Sequence, residues 1–144
     1  MAAILPYGVV NGNDNSLVCR WLPVSKDYGA AVTKGDLVYL DAGYLKPCAD
    51  NATICCGVAV SAHAAPDAEG DDGQFDILVC IDARSVIRVP VGDAGTGVAL
   101  VGEAVDIGGA QEVDLTQNQS VLRLWEYDSV EGIALVSLID AKRA

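Results

Sequence analysis

FDILVCIDARSVIRVPV, residues 75–91, carries the clearest periodic pattern in this chain and decides its fold class. Apolar side chains occupy alternate positions through most of the stretch, and Asp82, Arg84 and Arg88 fill positions between them. A period of two is typical of a β-strand with one buried face. Since strands rarely exceed about ten residues, the stretch predicts either one long bent strand or two strands that meet near residues 84–85.

Shorter strand-like runs, punctuated by Gly, Asn and Asp, lie on both sides of this segment. No window repeats apolar residues at the spacing of a helix over three turns, so helix is expected to be minor. The sequence therefore predicts an all-β fold, with the strands forming a small barrel or sandwich. The runs are residues 17–22, 36–40, 56–62, 97–101, 104–107, 121–127 and 133–139.

Two parts of the chain resemble each other and predict an internal duplication. GDLV at residues 35–38 is followed by the glycine-led run GVAVS at 57–61. GEAV at residues 102–105 is followed by GIALV at 132–136. Each unit would contain a Gly-acidic turn, a strand, a hairpin and a glycine-initiated strand, and the segment at 75–91 would bridge the two units. The later copy is expected to carry about eight extra residues near residues 117–120.

The N-terminal residues differ in character from the rest. Residues 1–16 begin apolar and end in the polar, turn-rich run NGNDNS. We interpret them as an N-terminal arm joined to a single β domain at residues 17–144. Exposed apolar termini are unusual unless they bind something, and an extended segment can add a strand to another chain. The alternative is that the segment is the first edge strand of this domain. The predicted binding residues of the arm are Ala3, Ile4, Leu5, Pro6 and Tyr7.

The charge balance limits the partners that this chain can have. Asp and Glu number 20 against 9 Lys and Arg, which gives a formal net charge of -11. Such a surface repels phosphate backbones and anionic lipid, so neither nucleic acid nor a membrane is an expected partner. No apolar run approaches the roughly 20 residues of a membrane-spanning helix, and the N-terminus lacks the basic residues of a secretory signal. We therefore expect synthesis in the cytoplasm, with the five cysteines reduced and buried.

No motif in the sequence indicates catalysis, and we predict no catalytic, cofactor-binding or metal-binding residues. His63 precedes an acidic loop at residues 64–73, and no nucleophile motif lies near it. Asp67, Glu69 and Asp71 have the alternation of a calcium loop, but the turn glycine and the final bidentate acid of that loop are missing. The cysteines lack the spacing of a zinc site, and the glycine-rich run GDAGTG lacks the ending of a phosphate loop.

Two aromatic and two basic side chains have an open role in the predicted strands. Trp21 and Trp125 fall in different strands, and each is either a core residue or the anchor of a subunit contact. Arg84 and Arg88 share one face of the central stretch. We interpret the arginines as cross-strand partners of carboxylates, because two cations among so many acids do not make a nucleic-acid site.

The order of the motifs resembles a known family. The run VTKGDLVYLDAG at residues 32–43, the glycine-led strand at 57–60 and the second run at 102–107 resemble the head-decoration, or capsid cement, proteins of tailed bacteriophages. The resemblance implies a compact β-barrel or jelly-roll-like body that assembles as a homotrimer. It also implies a place on the outer surface of the virion, where the protein would clamp neighbouring copies of the major capsid protein after the shell expands, using an extended terminus.

The alternative function is that of a carbohydrate- or small-ligand-binding β-sandwich. In that case exposed aromatic rings would provide stacking platforms for the ligand. The candidate platforms are Trp21, Tyr28, Tyr39, Tyr44 and Trp125.

Overall fold

The alternating stretch at residues 75–91 forms two strands joined by a turn in the computed structural model, which describes residues 8–9, 18–93, 101–139 and 142. The described residues are almost entirely strands and turns, and the predicted all-β class is confirmed. The strands are β1 Gly8–Val9, β2 Cys19–Pro23, β3 Leu37–Asp41, β4 Tyr44–Pro47, β5 Gly57–Ala59, β6 Asp76–Cys80, β7 Ile87–Asp93, β8 Ala104–Gly109, β9 Glu112–Asp114, β10 Leu122–Asp128 and β11 Ile133–Leu138.

The strands form two five-stranded barrels with the same internal order. In the first barrel the order is β2-β6-β5-β3-β4, and a parallel bridge between Val24 and Leu45 brings the two outer strands together. In the second barrel the order is β7-β11-β10-β8-β9, and β9 closes the ring by pairing in parallel with β7. Each strand of the second barrel therefore occupies the place of the strand five positions earlier in the chain. The barrel form of the predicted fold is the one observed.

Matching hydrogen bonds confirm the first half of the predicted duplication. The N–H of Gly35 donates to the carbonyl of Ala59 at 2.8 Å, and the N–H of Gly102 donates to the carbonyl of Leu124 at 2.7 Å. Both glycines have positive φ, at 96° and 92°. This backbone conformation favours glycine, which explains why the turn before β3 and the turn before β8 each carry that residue.

The second half of the predicted duplication is wrong in its register. Gly57 begins β5, whose counterpart is β10, whereas Gly132 precedes β11, whose counterpart is β6. The extra residues consequently lie in the first barrel, because residues 60–75 join β5 to β6 and only residues 129–132 join β10 to β11. The expected insertion near residues 117–120 is therefore not there. A glycine followed by small apolar residues suits either of two neighbouring strands, so it does not identify one of them.

A shared core holds the two barrels together. Successive strand residues point to opposite faces, and both faces of the first barrel's central strands are buried. One face fills the first barrel with Val38, Leu45, Ala59, Ile77 and Val79. The other face packs into the core of the second barrel with Leu37, Val58 and Cys80.

Two strands were not expected from the sequence, and one expected strand lies mostly outside the described residues. The hairpin partners β4 and β9 are short, and their apolar content gives little periodic signal. Of the strand expected at residues 97–101, only Val101 is described, and it lies in a turn.

The predicted arm is described only at Gly8–Val9. These residues form the edge strand β1, which pairs antiparallel with β7 through Gly8 opposite Arg88. Residues 3–7, predicted to bind a partner, lie outside the described residues.

Candidate interaction surface

The two tryptophans are exposed on the outer faces of different barrels. Trp21 lies on β2 opposite Leu78 of β6, and 63% of its surface is exposed. Trp125 lies on β10, where the ladder shifts register between Leu124 and Glu126, and 45% of its surface is exposed. Neither ring is a core residue. Exposed rings of this size mark a contact surface more often than isolated aliphatic residues do.

The ring of Trp125 is held in place by the sheet beneath it. Its indole Nε1–H donates to the hydroxyl oxygen of Ser137 at 2.9 Å. Ser137 is a buried residue of β11, so this bond fixes the ring against a rigid strand. A side chain that is already ordered loses little rotamer entropy on binding, which favours its use as an anchor.

A groove of about 220 Å³ lies beside Trp125 on the same face. The floor consists of Ile133 and Leu135 of β11, and Leu135 lies between Glu126 and Arg88 across the sheet. The Nε of Arg88 is buried and has no hydrogen-bond partner in the part of the chain that the structure describes. We refer to Trp125 and the groove together as the β10–β11 face. The groove is lined by Arg88, Glu126, Asp128, Glu131, Ile133 and Leu135.

The surroundings of Trp21 have a different chemistry. Leu78 and Val60 follow it across the outer face of the first barrel, where the N–H of Val60 donates to the carbonyl of Leu78 at 2.9 Å. Both are half-buried, so the ring extends an apolar strip that begins in the shared core. The surface around Trp21 is therefore apolar, whereas the β10–β11 face is mixed and charged.

Among the described strands, neither arginine stands opposite an acidic residue, contrary to the expectation from the sequence. Arg84 lies in the turn between β6 and β7, where its Nη2 contacts Asp82 Oδ2 at 2.6 Å. Arg88 faces Gly8 on one side and Leu135 on the other, and neither is an acid. The alternation at residues 75–91 stops at the turn that contains Arg84, so the two arginines do not share one face of a single strand as expected.

Asp82 organises the joint between the barrels. It is buried, and it accepts hydrogen bonds from the backbone N–H of Val18 at 3.1 Å and of Arg84 at 2.9 Å. Its own carbonyl accepts the hydroxyl of Ser85 at 2.7 Å. Hydrogen bonds from the Arg84 side chain and backbone hold the pKa of the Asp82 carboxyl well below its ordinary value of 3.8.

This joint predicts an acid-sensitive contribution to stability. Because the folded-state pKa of Asp82 lies below the unfolded value, the ionised carboxylate stabilises the fold above about pH 4, and the contribution is lost as the pH falls further. We expect Tm to fall more steeply below about pH 4 in the parent than in Asp82→Asn. The control is Asp41→Asn, which removes the exposed pair with Lys46 at 2.7 Å and should leave the acid slope of Tm unchanged. Equal slopes for Asp82→Asn and the parent would contradict the prediction.

Asp36 connects the two barrels at a second point. Its carboxylate accepts the Tyr28 hydroxyl and the Gln111 amide, each at 2.8 Å, and the backbone N–H of Thr33 at 3.0 Å. Gln111 belongs to the β8–β9 turn of the second barrel, and the N–H of Leu37 also bonds to this turn. Burial raises the pKa of the Tyr28 phenol, and the bond to Asp36 raises it further. Tyr28 is thus an internal hydrogen-bond donor and provides no stacking platform, contrary to the alternative considered from the sequence.

The acidic loop is an ordered insertion between β5 and β6. The amide of Gln74 donates to the carbonyls of Asp67 at 2.7 Å and Asp71 at 2.9 Å, and Asp72 accepts the backbone N–H of Lys26. At its base, the rings of His63 and Phe75 stack with centroids 3.5 Å apart. Within the described ranges, no three acidic, histidine or cysteine side chains lie close enough together to hold a metal ion.

Several organising residues were missed by the sequence analysis. The carboxylates of Asp36, Asp82 and Asp106 bind loop N–H groups, and no sequence pattern singled them out. The β10–β11 face could have been predicted from the sequence, because alternate residues of a strand lie on the same face of the sheet and both strands were expected.

Comparisons with known proteins give no family. No model of a protein family matches the chain, and no curated protein matches it significantly. Over the described residues, the structure contains no helix with the length and apolar character needed to cross a membrane.

Proposed function

We propose that this chain is a structural virion protein that binds the outer surface of a bacteriophage capsid and stabilises the expanded shell as a homotrimer. The observation that carries the proposal is the β10–β11 face, where a fixed, exposed Trp125 adjoins a groove lined by Arg88, whose Nε has no hydrogen-bond partner within the described residues. Aromatic residues and Arg are enriched at the interfaces between proteins.

The two tryptophans serve different contacts in this proposal. Homo-oligomer interfaces are more apolar than interfaces between independent proteins. The apolar strip around Trp21 therefore suits the contact between subunits of the trimer. The β10–β11 face, with its mixture of aromatic, aliphatic and charged groups, suits the contact with the major capsid protein.

The charge and the arm are consistent with this role. A net charge of -11 disfavours adsorption to DNA and to other acidic particles. In sequence, residues 3–7 directly precede β1, and β1 lies beside Arg88 at the edge of the same sheet. An N-terminal arm that pairs with a capsid subunit would thus extend the β10–β11 contact.

The stabilisation follows from mass action. A protein that binds only the assembled, expanded lattice lowers the free energy of that state by an amount that grows with its concentration. Three subunits bound to neighbouring capsid proteins act together, so weak contacts give strong attachment.

Substitution of the tryptophans tests the proposal directly. We expect Trp125→Ala to weaken binding to expanded shells of the major capsid protein encoded in the same genome by at least about tenfold, because buried aromatic anchors dominate interface energies. We expect Trp21→Ala to convert the trimer to monomers in light scattering. Cosedimentation with purified shells measures the affinity.

The control is Leu40→Ala, which removes an exposed apolar side chain from β3, a strand that contributes neither to the strip around Trp21 nor to the β10–β11 face. It should leave both measurements unchanged. A parent protein that fails to bind such shells, or a genome that encodes no capsid protein, would contradict the proposed function.

A second candidate, binding of a small ligand, is favoured by a hollow of about 280 Å³ beside Tyr39. The hollow is also lined by Asn51 and Thr53, whose polar groups could orient a ligand. Saturable binding of a glycan that is lost in Tyr39→Ala and retained in Trp125→Ala would favour this candidate over capsid binding.

A further inference from the structure

Cys19 and Cys80 are direct neighbours across two strands of the first barrel. Cys19 is the first residue of β2, and it is paired in register with Cys80, the last residue of β6. The next pair along the two strands is Val18 and Ile81, and it is hydrogen-bonded: the N–H of Ile81 donates to the carbonyl of Val18 at 3.0 Å. Hydrogen-bonded and non-hydrogen-bonded pairs alternate along an antiparallel ladder, so Cys19 and Cys80 occupy a non-hydrogen-bonded site.

A non-hydrogen-bonded site brings the two side chains close together. The Cα atoms at such a site are about 4.5 Å apart, and both side chains lie on the same face of the sheet. This separation falls within the range of roughly 4.4–6.8 Å that a disulfide spans.

The exposures of the two thiols give them different roles. Cys19 is exposed and Cys80 is only 1% exposed. The expectation that all five cysteines are buried is thus wrong for Cys19. Cys48 and Cys55 are both buried, and their thiols contact the carbonyls of Ile54 and Gly57. An oxidant in solution therefore reaches Cys19 first.

We propose that Cys19 and Cys80 are an oxidation site. A low-molecular-weight disulfide such as glutathione disulfide oxidises the two thiols, and an intrachain disulfide forms between them. The Cys19 thiolate attacks one sulfur of the oxidant, forms a mixed disulfide and releases one glutathione thiolate. The Cys80 thiolate then attacks the Cys19 sulfur and releases the second. Two protein thiols are oxidised, one glutathione disulfide is reduced to two glutathiones, and the two thiol protons pass to the products.

The bond would fasten the first strand of the barrel to its last strand. It closes a loop of roughly 60 residues, and a cross-link of that length restricts the unfolded chain strongly. The bond lies where the chain enters the barrel after residues 10–17. This inference does not depend on the proposed capsid role, because it concerns only the geometry of the first barrel.

The reaction has a characteristic pH dependence. Partial burial and the neighbouring Cys80 raise the pKa of Cys19 to about 11. Since the thiolate is the nucleophile, the oxidation is slow at neutral pH, and its rate should rise about tenfold per pH unit between roughly pH 7 and pH 9.

The experiment treats the folded chain with glutathione disulfide at about pH 8.5 and follows it by intact mass and peptide mapping. We expect a loss of two hydrogens, a Cys19–Cys80 peptide, and a Tm higher by about 5 °C or more than in the reduced protein. Cys19→Ser should show neither the mass loss nor the Tm increase. Cys80→Ala should instead retain one glutathione on Cys19, because the resolving thiol is absent.

Three results would overturn the proposal. One is a bridge that maps to Cys48 and Cys55. Another is a parent protein that keeps the mixed disulfide as Cys80→Ala does. The last is an unchanged mass after prolonged treatment, with the thiols of the unfolded chain oxidising normally under the same conditions.

Discussion

Replacing Asp106 by alanine is expected to lower the free energy of unfolding by about 3 kcal/mol. Asp106 lies on β8 and is 1% exposed. Its carboxylate accepts the backbone N–H groups of Gln119 and Ser120 at 2.7 Å each and of Asn118 at 3.1 Å, together with the Thr116 hydroxyl at 2.8 Å. Alanine would leave these four donors without their acceptor.

The effect should be large because Asp106 determines the path of the connection between β9 and β10. Hydrogen bonds to a charged group contribute about 1.5–3 kcal/mol each, and partial exposure of the loop lets water replace some of them. Positive φ at Ser120, 58°, shows that the backbone is held in a conformation that non-glycine residues seldom adopt. Without the carboxylate, this turn loses the group that compensates for its strain.

The matched control is Asp128→Ala at the β10–β11 turn. The Asp128 carboxylate also accepts two backbone N–H groups, from Val130 at 3.0 Å and Glu131 at 3.1 Å, but the residue is exposed. Water can satisfy these donors, so we expect a loss of less than about 1 kcal/mol. Denaturant unfolding of both variants measures the difference. Equal losses would show that burial of the Asp106 network contributes nothing.

Asp106 also illustrates what the sequence could not predict. It lies between Val105 and Ile107, both buried, so the strand alternation predicts an outward and solvated carboxylate. The side chain does leave the barrel core, but residues 116–120 fold back over it. Such burial depends on a loop that carries no periodic signal, and composition alone cannot predict where that loop lies.

The central stretch was predictable because its signal is local. The alternation at residues 75–91 and its interruption near Arg84 identify two strands and the turn between them, and the structure contains β6 and β7 with residues 81–86 between them. The resemblance of Gly35 to Gly102 was also informative, because both meet the same backbone requirement. In each case the signal and its cause lie within a few residues.

Two prolines identify the correct alignment of the two barrels, which the small apolar residues did not. Pro23 lies opposite Asp76, and Pro90 lies opposite Ile133, at corresponding sites of the two barrels. Both sites are non-hydrogen-bonded, so the ladder requires no N–H from the proline toward that neighbour. The run LPV at 22–24 therefore aligns with VPV at 89–91 and identifies β2 and β7 as equivalent strands, which the glycine-led strands did not do.

The close approach of β5 to β6 makes Gly57 the most sensitive glycine in the first barrel. A Cβ at this position would lie 2.5 Å from the carbonyl oxygen of Cys80 and 2.6 Å from Cγ1 of Val79. Cys80 is held in the ladder between β2 and β5, so its carbonyl cannot move without breaking backbone pairs on both sides. We expect Gly57→Ala to lower the free energy of unfolding by about 3 kcal/mol, or to prevent folding of the first barrel.

Gly109→Ala is the matched control for Gly57→Ala. In Gly109→Ala, the added Cβ would lie no closer than 3.7 Å to another heavy atom, in a strand of the second barrel, so stability should change by less than about 1 kcal/mol. Both glycines lie in strands, and the contrast therefore isolates the steric contact with Cys80. Because Val58, next to Gly57, packs in the shared core, displacement of β5 should also loosen the second barrel. Hydrogen exchange in β10 and β11 should then accelerate in Gly57→Ala, whereas exchange limited to the first barrel would mean that the two barrels unfold independently.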